Sequence, residues 1–185
     1  AEELTFVPAV VDASVYAAAR DGTVARFDDG QQVWRIKLEQ PLSGGVGADE
    51  RRFVVGTAKG EILAFATADG SPLWKARASS EIVAPPLVRD GLVIVRSGAH
   101  RLPAYDAVDG KRKWIYQRPS TPLSLRATAS PVLVEKYVFA GFPGGKLIAV
   151  SAENGAPLWE GAVALPKGAT ELDRVADGSS MPVID

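Results

Sequence analysis

The chain predicts an all-β fold of stacked four-stranded sheets, a partial β-propeller, and two features of the sequence say so. Four tryptophans, Trp34, Trp74, Trp114 and Trp159, stand 40, 40 and 45 residues apart. Each closes a phrase built of a small turn, a glycine and a short run into the indole: "FDDGQQVW", "ATADGSPLW", "DAVDGKRKW" and "SAENGAPLW". A period of about 40 residues filled with short β runs is the length of one propeller blade. No window carries a sustained 3.6-residue apolar stripe, so helices are not expected.

Within each repeat the same elements follow in order. An apolar stretch opens it: Val10-Val11, Phe53-Val54-Val55, Leu92-Val93-Ile94-Val95, Tyr137-Val138-Phe139. A glycine-bearing turn follows ("RDGTV", "AKGEI", "GAHRL", "PGGKL"), and then a stretch centred on alanine at Ala25, Ala64, Ala104 and Ala149. Asp-Gly or Asn-Gly then turns the chain into the tryptophan strand. Short β-branched and aromatic runs split by such turns are hairpin signals, because the turns need φ > 0 where Gly and Asn cost least. This grammar places blades at 8–34, 46–77, 86–117 and 131–162, with the opening of a fifth at 182–185.

A single blade cannot cover both of its faces, so neighbours must stack on it. An indole buries ~150–250 Å², roughly 4–6 kcal/mol gross at ~25 cal/mol per Å² before entropy is counted. Four copies at a fixed place in the repeat make Trp34, Trp74, Trp114 and Trp159 structural packing residues rather than ligand-stacking ones.

Composition excludes several function classes. With 46% apolar residues and a net charge of −1, the chain has enough apolar material for a core but lacks the basic excess of a nucleic-acid binder. Lys111-Arg112-Lys113 reads as a solvated turn. There is no cysteine, so disulfides, thiolate metal sites and cysteine nucleophiles are absent from this sequence. No apolar run approaches ~18 residues, so no transmembrane helix is expected. His100 stands where the other repeats have Gly22, Gly60 and Gly145 and reads as a turn residue. No catalytic, metal or cofactor site is expected.

The spacing between blades changes along the chain. Trp34 to Val46 and Trp74 to Pro86 are 12 residues each, Trp114 to Pro131 is 17, and Trp159 to Pro182 is 23. The extra length therefore falls in two successive connectors, 115–130 and 160–181. In an antiparallel four-stranded blade these connectors leave on the same face as the turns between the second and third strands. Repeat folds tend to place such insertions on the binding face. In "TPLSLR", Leu123 and Leu125 alternate along an extended segment with Arg126 beyond them, an anchor-plus-charge composition suited to protein recognition. In "TELDRVAD", Glu171, Asp173 and Asp177 suit a cationic partner or Arg126 itself. Two blander readings stay open: the leucines tucked beneath the loop as a small satellite core, and the three carboxylates as solvated turn caps. Their spacing fits no EF-hand pattern.

At "ATADGSPLW", "DAVDGKRKW" and "SAENGAPLW" the sequence resembles the quinoprotein-type (PQQ-like) propeller repeat, over residues 8–162. "PSTPLSLRATASP" and "GATELDRVADGSSMPV" are similar to two connectors of the BamB family, propeller lipoproteins of the outer-membrane β-barrel assembly machinery of Gram-negative bacteria. The resemblance implies a longer protein of eight blades, of which this chain is an internal fragment forming an open arc of about four. It also implies a lipid anchor beyond this chain and a place on the periplasmic face of the outer membrane. As partner it implies the POTRA domains of the BamA barrel insertase. By position it assigns that contact to Leu123, Leu125, Arg126 and Asp177, while the second acidic position of the family is Ser179 here. The fragment itself is expected to be soluble, and its uncovered end blades suggest self-association. Two alternatives stand beside this reading. One is a PQQ-dependent dehydrogenase fragment, for which the cation cluster and vicinal cysteines of such enzymes are missing. The other is a generic ligand-binding propeller.

Overall fold

The computed structural model of the chain describes residues 5–120 and 129–163. These form sixteen strands and no helix. The first sheet comprises β1 (Ala9–Val11), β2 (Ser14–Ala18), β3 (Thr23–Asp28) and β4 (Gln31–Lys37). The second comprises β5 (Leu42–Ala48), β6 (Arg52–Thr57), β7 (Glu61–Ala66) and β8 (Pro72–Arg77). The third is β9 (Leu87–Arg89), β10 (Leu92–Ile94), β11 (Arg101–Asp106) and β12 (Arg112–Gln117). The fourth is β13 (Val132–Val134), β14 (Tyr137–Phe142), β15 (Lys146–Ser151) and β16 (Pro157–Ala162). Each sheet is an antiparallel meander in sequence order. The inner strands β1, β5, β9 and β13 neighbour one another in turn, so the sheets fan into an open arc.

In the last three sheets the apolar stretch that opens each repeat is the second strand. In the first sheet Val10-Val11 instead lies in the inner strand β1, and the equivalent second strand is β2, where "SVYAA" carries only one large apolar side chain per face. The Val10-Val11 pair is the more apolar run, whereas the spacing from Trp34, shortened by two residues, points to Val15-Tyr16-Ala17 in β2.

Three apolar layers fill the gaps between sheets. The first packs Tyr16, Val24 and Trp34 on Phe53, Val55 and Phe65, with the Trp34 and Phe53 rings stacked at 5.0 Å. The second packs Val54, Ile62 and Ala64 on Val93, Val95 and Tyr105. The third packs Ile94, Leu102 and Trp114 on Val138, Phe142 and Ile148. In the second and third sheets opposite faces of the middle strands thus serve opposite neighbours, which is why β6, β7, β10 and β11 are apolar with little alternation.

The repeated phrase acquires its meaning at these gaps. Trp34, Trp74 and Trp114 donate their indole N–H to the carbonyls of Thr67, Ala107 and Ala152 in the next sheet, at 2.9, 2.8 and 2.8 Å. Each accepting residue is itself tied down, because its own N–H bonds the first turn of its sheet at Arg51, Gly91 or Lys136. Beneath two of the indoles lies a glycine with φ near +75°: a Cβ at Gly110 or Gly155 would sit 2.5 Å from the ring of Trp74 or Trp114. Only glycine offers both the backbone angle and the clearance.

A β-bulge aims each indole. The pairing skips Val33, Leu73, Lys113 and Leu158, the residues just before the tryptophans, so each outer strand twists there. Trp159 differs from the other three. It is 48% exposed, lies against Gly161 of its own strand, and meets no further sheet among the described residues.

This geometry separates the tryptophans energetically. Trp114→Ala is expected to cost about 3–5 kcal/mol in urea unfolding, as for other buried indoles. Trp159→Ala is expected to cost less than about 1 kcal/mol. Gly155→Ala, which loses the clearance under Trp114, should cost more than Gly30→Ala, where a Cβ meets nothing.

Candidate functional site: the connector face

The sequence-derived candidates Leu123, Leu125 and Arg126, and Glu171, Asp173 and Asp177 with Ser179, lie outside the described residues. The feet of their connectors are described. After each outer strand the chain makes the same hydrogen bond, from the first connector N–H to a carbonyl of the turn between the second and third strands. The pairs are Leu38 to Gly22 (2.8 Å), Ala78 to Gly60 (2.8 Å), Arg118 to His100 (2.9 Å) and Val163 to Gly145 (2.6 Å). All four connectors therefore leave from one face, and the two enlarged ones leave from adjacent sheets. His100 sits in the turn slot, half-buried, and offers its backbone carbonyl there.

The returning feet are laced together at the inner edge. Ser43 Oγ donates to the Ile82 carbonyl at 2.6 Å, and Ser130 Oγ to the Pro85 carbonyl at 3.0 Å. Each hydroxyl thus joins the start of one sheet to the start of the next.

Charge gathers where the first enlarged connector is rooted, at 118 rather than 115 because β12 runs on to Gln117. Arg118, its first residue, sends Nη1 and Nη2 to the Glu160 carboxylate of the fourth sheet at 3.1 and 3.3 Å. Lys146 stands 3.6 Å from the same group. The hydrogen bonds from Arg118 hold the Glu160 carboxyl below the usual carboxylate range, and the same bonds raise Arg118. Glu160 is water-exposed, so this pair orients the foot more than it stabilises the fold.

Arg96 is the opposite case. It is fully buried, and desolvation pushes its guanidinium down to about 10, which still leaves it charged at neutral pH. Its Nε donates to the Ala129 carbonyl at 3.0 Å and its Nη2 to the Gly141 carbonyl at 2.7 Å. Arg96, Arg118 and Phe142 were not singled out by sequence reasoning. The available signal was a lone arginine ending the apolar run "LVIVR".

Among the described residues no cluster of His, Asp or Glu is arranged to hold a metal ion. On the opposite face, side-chain oxygens cap the turns before the outer strands. Asp69, Asp109 and Asn154 each accept the backbone N–H two residues on, at 2.9 Å.

A family model described as outer membrane protein assembly factor BamB matches residues 20–185. The chain belongs to the BamB family. The BamB of Bordetella pertussis, an outer membrane protein assembly factor, is 43% identical over 183 residues, covering 98% of this chain and 47% of the relative. The chain spans about half the length of the curated BamB relatives it matches. The crystal structure of BamB from Moraxella catarrhalis matches with a TM-score of 0.79 at 27% identity, over 92% of this chain and 55% of that one. A quinohemoprotein alcohol dehydrogenase from Comamonas testosteroni matches with a TM-score of 0.66 at 20% identity, over 84% of this chain and 34% of that one. At that identity the likeness shows the fold alone. The BamB resemblance and the open all-β arc read from sequence are thus met by an independent family match and by the sheets themselves.

The Glu160 pair gives a test with a defined sign. Because its folded value is lowered, its stabilisation is present above the ordinary carboxylate range and is lost as pH falls through the lowered value. Glu160→Gln should melt slightly below the parent at pH 7. The gap in Tm should close in acid, as followed by circular dichroism.

Proposed function

We propose that this chain acts as part of a non-enzymatic BamB-type scaffold that docks the POTRA domains of the BamA barrel insertase during outer-membrane protein assembly. The two enlarged connectors supply the contact, Leu123, Leu125 and Arg126 from the first, and Glu171, Asp173 and Asp177 from the second. The leucines provide apolar anchors, Arg126 a charge at their rim, and the carboxylates complementarity to cationic groups. The protein works at the periplasmic face of the outer membrane, attached through a lipid anchor beyond this chain, and uses no cofactor.

The observation that carries this reading is the placement of the feet. Arg118 and Val163 leave adjacent sheets on the same face, through the same type of bond. Two long segments rooted side by side can present one continuous surface.

The test is retention of POTRA domains by immobilised chain. Leu125→Asp and Arg126→Glu are each expected to lower retention at least tenfold, as interface anchors do. Unchanged retention by both variants overturns the assignment.

We also propose that isolated copies of this chain pair through the outer face of the fourth sheet. There Val132, Val134 and Trp159 are each about half exposed, at 56, 51 and 48%. Light scattering is expected to show a dimer that Trp159→Glu returns to monomer, and a monomer at all concentrations overturns the pairing.

A further inference from the structure

We propose that Phe142, with Arg96 and Arg118 set over its ring, is a positioning device that fixes both feet of the 118–130 connector. The guanidinium carbons of Arg96 and Arg118 lie 5.0 and 5.8 Å from the Phe142 centroid. Phe142 is buried in the layer between the third and fourth sheets. One ring therefore gives both cations a common floor.

Each arginine governs one foot. Arg118 is the outgoing foot, and its own N–H is bound to the His100 carbonyl. Arg96 holds the returning foot through Ala129, and its Nη1 reaches the Ala99 carbonyl at 3.5 Å. Both feet are thus measured from the same turn, residues 99–100. The Ser130 bond to Pro85 adds a second tie on the return side.

Comparison with the preceding sheet shows what Arg96 replaces. The register sets Val54 opposite Ala64 and Ile94 opposite Ala104, so two residues on, Gly56 and Arg96 are equivalent. At Gly56 the space a Cβ would take is filled by Ile82 of the following connector, residues 78–86. That short connector plugs the sheet with an apolar side chain. Beside the longer connector the direction reverses, and the sheet extends a side chain to grip connector backbone.

An apolar side chain would fill this space without the cost of burying a charge. Among the described residues no carboxylate pairs with Arg96 to offset that cost. What guanidinium adds is a rigid fork of donors aimed at carbonyls from three separate segments. The residue is suited to holding a geometry.

The consequence for docking rests on the proposed function above, because the feet set how the connector is presented. The test uses the full chain and amide hydrogen exchange at residues 116–120 and 129–132, with Ala78 of the preceding connector as internal reference. Phe142→Leu and Arg96→Met are expected to speed exchange at both feet by about tenfold or more, leaving Ala78 unchanged. Arg118→Met, at a partly exposed site that should not compromise folding, is expected to do so at 116–120. Phe142→Tyr, which keeps the ring, should stay within about twofold of the parent. Equal acceleration at Ala78 and the feet, or none in any variant, overturns the device. POTRA retention should fall about tenfold with Phe142→Leu, and unchanged retention alongside loosened feet overturns its role in presentation. Normal retention by Leu125→Asp and Arg126→Glu would instead remove the docking reading and leave the exchange result standing.

Discussion

Everything in this arc depends on an indole crossing from one sheet to a seat in the next. The seat has three parts: a glycine with room above it, a carbonyl pointing outward, and an N–H that pins the carbonyl's residue to its own sheet. Apolar burial supplies the stabilisation, and the single N–H to carbonyl bond fixes the angle. The N–H to carbonyl bond recurs at Trp34, Trp74 and Trp114, so all three gaps are closed by the same type of joint. A surface composed from several blades is only as well placed as these joints allow.

The connector face inherits that regularity and then departs from it. Four connectors leave by the same backbone bond, so the face is level by construction. Length alone distinguishes two of them, and charge distinguishes the joint beneath the first. The Glu160 carboxylate ties Arg118 across the gap between sheets, while Arg96 is sunk into the gap itself. One arginine is cheap and wet, and the other is costly and dry. A fold that maintains a buried cation beside an otherwise apolar layer is constraining backbone.

Much of the fold was legible in the sequence because its determinants are local and repeated. The Asp-Gly and Asn-Gly phrases, the alanine-centred third strands and the tryptophan spacing each announce one element. Repetition turned weak signals into a firm period. The first repeat misled at Val10-Val11, since its second strand "SVYAA" is less apolar than the inner strand before it. The bulge before each indole was hidden, because an exposed aliphatic at Val33, Leu73 and Leu158, and a lysine at Lys113, look like ordinary outer-strand residues. Their common property is the absence of a partner, which pairing creates and composition does not. The candidate site was legible only in outline. Connector lengths located the face, but the Arg96–Phe142 and Arg118–Phe142 contacts join residues 46 and 24 apart in sequence and carry no periodic signature.

The first sheet turns between its last two strands through Asp29-Gly30, with φ of 50 and 77°, two residues shorter than its counterparts. That hairpin is too tight to hold the tethered carbonyl, and the space above Gly30 is empty. An indole brought to this side of the first sheet would therefore find neither the pinned carbonyl nor the roofed glycine that receives Trp74 and Trp114. One shortened hairpin thus removes a whole docking seat, so the repeat length itself decides which sheets can be joined by a tryptophan.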